Sequence, residues 1–170
     1  MVNKVILYIL VLSCFSCKYK DVPPTPKQTE DKIMIFPEQT GFINDQENIF
    51  NARQKAELNK KLSEFYKEEN KKIIIVSVED FKGAKDFQEF AQQLGDHWNI
   101  GKDTNGNTVL LVFSKKKRKV TLTIAAGFNT GFGNKIKRNI VEGIIIPKFK
   151  EGKFYEGIMD GCSKLISIWQ

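Results

Sequence analysis

Few side chains in this 170-residue sequence are placed for chemistry. His97 is the only histidine, and it precedes Trp98 at the end of a helix expected over residues 86–98. A lone imidazole can serve as a general base, but it reads equally as a helix C-terminal cap or a half-buried side chain. No Ser-His-Asp order and no Cys/His metal spacing is present. The stretch GFNTGFGN, residues 127–134, follows an expected strand and opens an expected helix. Its glycine spacing fits neither a Walker loop nor a dinucleotide fingerprint, and no Lys-Ser/Thr follows. Backbone amides around Gly127, Asn129, Thr130, Gly131 and Asn134 still suit an anion. The densest charge is Lys115, Lys116, Lys117, Arg118 and Lys119.

That basic run belongs to an overall excess. The net charge is +7, and it falls to +6 without residues 1–16, whose one charged side chain is Lys4. Lys135, Lys137, Arg138, Lys148, Lys150 and Lys153 add to the C-terminal half. In a cytoplasmic protein such a patch would suggest nucleic acid. An exported protein rarely meets any, so no nucleic-acid partner is expected. Anionic lipid head groups or phosphate suit the run better, at ~1 kcal/mol per cation near a membrane surface. The plainer alternative is a solvated turn that keeps an edge strand from pairing.

The elements that position these residues centre on 107–128, NTVLLVFSKKKRKVTLTIAAGF. Val109 to Phe113 is an unbroken apolar run, as in a strand covered on both faces. Val120, Leu122, Ile124 and Ala126 alternate with Thr121, Thr123 and Ala125, the period of a half-covered strand. The five cations between them form the exposed turn of a hairpin. Ile73–Val78 is a β-branched run and predicts another strand. Asn51 can cap a helix over 52–69 with Leu58, Leu62, Phe65 and Tyr66 on one face. The second helix carries Phe87, Phe90, Ala91, Leu94 and Trp98 at helical spacing, and the polar residues 99–107 form a turn. A third helix runs from about 135 to 146, where Pro147 is expected to stop it. A last helix over 155–169 buries Tyr155, Ile158, Cys162, Leu165, Ile166 and Trp169, so Cys162 reads as core. A right-handed crossover puts the second helix on one face of the sheet and leaves the other face to the rest. The fold class is α/β. It is a three-layer α/β/α sandwich, with a small mixed sheet of strands near 72–79, 108–114 and 119–126 flanked by about four helices.

The beginning of the chain reads as a targeting segment. Lys4 leads an apolar run from Val5 to Phe15, shorter than the ~20 residues that span a bilayer. It ends in small residues before a cysteine and so resembles a bacterial lipoprotein signal, with cleavage before Cys17 and acylation there. Cys14 is an alternative site. Residues 17–40 hold Pro23, Pro24, Pro26 and Pro37 and read as a linker, within which Ile33–Phe36 is an apolar island that can lie along the domain edge. One domain, 41–170, follows. The expected location is the cell envelope, outside the cytoplasm, tethered by lipid.

GFINDQENIF (41–50), IIIVSVE (73–79), HWNIGK (97–102), TVLLVFS (108–114), TIAAGF (123–128) and IIIPKFKEGKFYEGI (144–158) stand in an order that resembles the TPM domain family. The resemblance implies an exported α/β/α fold, with acid phosphatase activity and divalent-cation binding in some members and accessory roles at membrane complexes in others. It implies a site of carboxylates near the carboxyl ends of the strands. One of these falls at Asp45. Others belong to a Gly-x-Gly-Leu-Glu turn with an Asp several residues on. Here that turn begins at Gly127, Asn129 takes the place of the second glycine and Gly131 that of the glutamate. Asn134, or no residue, takes that of the aspartate, and no carboxylate lies between Asp103 and Glu142. Calcium needs about six to eight oxygens, several of them charged. A remaining Ca or Mg site would draw on Asp45 and Asp103, with Asp96 nearby. The missing carboxylates favour a non-enzymatic accessory module that binds an envelope protein or complex. A metal-dependent phosphatase and an anion-binding protein are the alternatives.

Overall fold

A computed structural model describes residues 34–125 and 134–169. Four strands form one mixed sheet in the order β1 (Ile43–Asp45), β2 (Lys72–Ser77), β3 (Thr108–Ser114), β4 (Lys119–Ile124). The first three are parallel and β4 runs antiparallel to β3. The short β1 is absent from the sequence-based expectation, because three residues, Ile-Asn-Asp, are too few to show a period. It registers Ile43 with Ile75 and Asp45 with Ser77.

Alternation along β2 and β3 sorts their side chains into two cores. Ile73, Ile75, Val109, Leu111 and Phe113 face the helices α1 (Ala52–Glu69) and α5 (Phe154–Trp169). Ile74, Val76, Leu110 and Val112 face α2 (Phe87–His97). Continuous apolar runs were the expected mark of strands covered on both sides, and the α/β/α layering follows. Both β1–α1–β2 and β2–α2–β3 join neighbouring parallel strands and step the same way across the sheet. Their helices lie on opposite faces, so the two crossovers turn in opposite senses, and one departs from the right-handed preference.

Local chemistry sets the helix ends. Asn51 accepts from the Gln54 amide at 2.9 Å while the Gln54 side chain accepts from the Asn51 amide at 3.0 Å, a reciprocal cap that starts α1. Asn70 ends it in the left-handed conformation, φ 52°. Asp86 caps α2.

The helix expected to stop before Pro147 does not. The path runs through α3 (Asn134–Ile140), a π-helical turn (Val141–Ile145) and α4 (Ile146–Lys150). Proline in a regular helix removes a donor and presses its ring on the carbonyl four residues back. The wider π turn immediately before it, with the Ile146 amide reaching the Val141 carbonyl, relieves both.

Packing begins before the expected boundary at residue 41. Met34 and Phe36 lie against the α2 core, with the Phe36 ring 5.6 Å from Phe90 and 5.0 Å from His97. The Trp98 indole donates to the Pro37 carbonyl at 2.8 Å. Met34 and Phe36 of the apolar island thus lie at the domain edge, whereas Ile35 is 87% exposed; Ile33 lies outside the described residues. No helix of the described residues is long and apolar enough to cross a membrane.

Candidate functional site

Asp45 ends β1, at the carboxyl end of the parallel strands. Its side chain is only 1% exposed. One carboxylate oxygen accepts from the Ser77 hydroxyl at 2.6 Å and the Ile49 amide at 3.0 Å. The other accepts from the Phe50 amide at 3.0 Å and lies 3.1 Å from the Lys55 ammonium. Burial pushes its pKa up, but the Ser77 hydroxyl, the two amides and Lys55 together outweigh that and hold it below the ordinary value. This carboxylate ties the end of β1 to β2 and to the first turns of α1.

The basic turn stands at the same end of the sheet, but an acidic frame surrounds it. Glu47 accepts from the backbone amides of Lys115 at 2.7 Å and Lys116 at 3.0 Å. The Ser77 hydroxyl in turn accepts from the Glu47 amide at 3.0 Å. Lys116 pairs with Glu79 at 3.0 Å and Lys117 with Asp80 at 3.6 Å. The Ser114 hydroxyl accepts from the Lys117 amide, and Arg118 closes the turn at φ 54°. The Lys115 ammonium sits over the Phe154 ring, 5.3 Å from its centre. Arg118 and Lys119 remain at the edge, beside Lys150.

Asp103 lies at the far end. It pairs with Lys72, the first residue of β2, whereas Asp45 stands opposite Ser77, the last. The length of β2 is roughly 17 Å at ~3.3 Å per residue. The structure therefore does not bring Asp45 and Asp103 to one ion. Asp96 also lies away from Asp45. It lines a cleft of about 560 Å³ with Gln92, Asn99, Gly101, Lys102 and Lys137, next to Ala125. Among the described residues no group of three His, Cys, Asp or Glu side chains is placed to hold a metal ion.

The remaining candidates have structural settings. His97 is exposed, its ring tilted by 33° against that of Phe36. Burial pushes the Cys162 thiol up to about 12, so it is unreactive core. Of the glycine-loop residues, Gly127, Asn129, Thr130 and Gly131 lie outside the described residues, as do Cys14 and Cys17. Asn134 is the exposed first residue of α3.

The family model of the TPM domain matches residues 43–168. The chain belongs to the TPM domain family. Solved structures share its fold. One is the N-terminal domain of a Porphyromonas gingivalis protein (P.gingivalis), at 21% identity and TM-score 0.65, covering 75% of this chain and 82% of that one. A second is a Corynebacterium glutamicum N-terminal domain, at 12% identity and TM-score 0.59, covering 77% and 82%. A third is the BA42 protein of the psychrophilic Bizionia argentinensis, at 16% identity and TM-score 0.61, covering 72% and 82%. No curated protein matches the sequence. At such identities these likenesses speak for the fold alone.

Within this TPM domain, β4 ends beside Thr108, since the Ala125 amide donates to the Thr108 carbonyl. β4 therefore ends, just before the segment that the family resemblance makes acidic, at the end of the sheet away from Asp45. Glu47, Ser77, Glu79 and Asp80 were not singled out in the sequence. Their partners lie across the sheet, 68 residues away for Glu47 and Lys115, and no local pattern marks such pairs.

Proposed function

We propose that the protein is a membrane-tethered TPM-domain lipoprotein acting as a partner-binding accessory module of the cell envelope. The observation that carries this reading is the state of Asp45. All of its strong acceptor positions are taken by the Ser77 hydroxyl, two backbone amides and Lys55. A hard cation or a reacting phosphate would have to displace them. The lipid anchor is read from the first residues, with Cys17 or Cys14 as its attachment. The alternative of a basic turn serving as a head-group surface loses force, because Lys116 and Lys117 are paired and Glu47 lies beneath them.

The test is turnover of a phosphomonoester by the purified full chain with Ca²⁺, Mg²⁺ or Mn²⁺, alongside calorimetry with each ion. Neither turnover nor binding is expected. Metal-dependent hydrolysis that disappears in a folded Asp45→Asn or Asp103→Asn variant would replace this reading with the phosphatase.

A further inference from the structure

The inner flank of the hairpin turn differs from its tip. A cavity of about 640 Å³ opens there, between the start of β4, α4 and the start of α5. It lies at the turn end of β4, away from Ala125, which stands beside Thr108. Val120, Ile146, Phe149 and Phe154 form its apolar floor, and each is only half-buried. The Phe149 and Phe154 rings lie 4.7 Å apart, and Phe113 backs Phe149 at 5.4 Å. The aromatic pair is thus anchored to the α5 core while part of it stays open. Gly152 turns the chain from α4 toward α5 at φ 76°. A Cβ added there would meet nothing within 4 Å, which leaves that wall open.

Four cations stand around this floor, Lys115, Arg118, Lys119 and Lys150. Among the described residues, none of the four has a carboxylate within 4.0 Å of its charged group. None of the described lining residues is acidic. At the tip, by contrast, Lys116 and Lys117 are paired with Glu79 and Asp80. Glu47 is the nearby carboxylate, and its two oxygens accept from the Lys115 and Lys116 amides. The Lys115 ammonium lies over the Phe154 ring, so an ion pair to it would form against an aromatic face. Four uncompensated like charges around one cavity repel one another, and a bound anion would relieve that repulsion.

We propose that this cavity binds a single amphipathic anion, its apolar body on Phe149 and Phe154 and its phosphate or carboxylate held by Arg118, Lys119, Lys150 and Lys115. Cavities for small ligands run to roughly 300–1,000 Å³ and are mostly apolar with a few placed polar groups. The guanidinium fork of Arg118 matches either head group. A phosphate monoester carries about −1.5 to −2 at neutral pH, which answers more than one cation. The half-buried rings lower the local polarity and strengthen the pairing. A bilayer presents a flat array of heads, whereas this site is concave and takes one head with its chain. A second copy of the protein would bring the same cations and be repelled. The inference stands apart from the partner-binding reading: hydrolysis or ion binding at Asp45 would leave it untouched, and its failure would leave that reading in place.

The probe is decyl phosphate below its micellar concentration, titrated into the full chain by calorimetry and by nuclear magnetic resonance. Saturable binding is expected, with shifts at Val120 and at the Phe149 and Phe154 rings. Inorganic phosphate and decanol, each holding half of the chemistry, should bind far more weakly. Arg118→Asn/Lys150→Gln should weaken decyl phosphate about tenfold, since Asn tolerates the left-handed backbone at φ 54° while removing the charge. Lys116→Gln/Lys117→Gln, at the paired tip, should bind as wild type does. Decanol or inorganic phosphate binding as tightly as decyl phosphate would overturn the proposal, as would full affinity in Arg118→Asn/Lys150→Gln. Shifts produced by phosphatidylglycerol vesicles and not by monomeric decyl phosphate would assign the cations to a bilayer instead. Magnetisation transfer in the ligand-free chain from Phe149 or Phe154 to residues 17–33 or 126–133 would show the cavity filled by the protein itself, and would overturn the proposal too.

Discussion

Asp45 shows how one residue type can look catalytic and serve as a brace. Its four partners come from β2, from the loop after β1 and from α1. Replacing it with Asn keeps the size but turns an acceptor into a donor facing other donors. Asp45→Asn should cost about 2 kcal/mol of unfolding free energy in urea. The pH dependence follows from the lowered pKa. Its contribution is complete above the ordinary 3.8 and fades as pH falls below it through the folded value. Wild type and variant should therefore converge in stability in that acidic range. A difference that persists unchanged through acid would show that charge plays no part. Cys162 is the counterpart, a reactive residue type silenced by burial.

At the scale of elements, the hairpin turn is held from outside. Four cations in a short turn repel one another, and Glu47 fastens two of its backbone amides. Glu47→Ala should speed exchange of the Lys115 and Lys116 amides about tenfold, with little change elsewhere. Gly101 constrains the other end of the sheet. It sits at φ 87°, and an added Cβ would stand 2.6 Å from the Ala125 Cβ. Gly101→Ala should cost about 3 kcal/mol, from left-handed strain and overlap together. A thermal melt within a degree of wild type would contradict this. α5 meets the π turn as closely, since a Cβ at Gly161 would lie 2.9 Å from Ile145. That contact gives the irregular turn its setting, with Ile145 fully buried against α5.

For the whole molecule, what the sequence revealed depended on range. α1 and β3 fall where their periodicity and apolar runs place them, because capping and burial write themselves into neighbouring residues. The π turn was hidden, since the usual effect of Pro147 is to end a helix. β1 was hidden by its length. The site was the least legible part, because Asp45 meets Ser77 across 32 residues and Glu47 meets Lys115 across 68. The opposed crossovers also carry no local signature. Tethering is tested at this scale. Cys17→Ser should release the chain from the membrane fraction, and palmitate labelling with mass spectrometry should place the modified residue. Labelling that persists in Cys17→Ser and is lost in Cys14→Ser would move the anchor to Cys14.

The four-residue connection Lys115–Arg118 also sets an order of events in time. A hairpin closes in about microseconds, whereas parallel strands must wait for a helical detour to fold back between them. β3 and β4 can therefore meet before β1 and β2 dock, leaving sticky rims in the refolding chain. Lysines in the connecting turn would then keep half-made molecules apart by repulsion. Refolding at micromolar concentration should lose yield to aggregation when Lys115, Lys116, Lys117 and Lys119 become Ser, and an undiminished yield would deny them that duty.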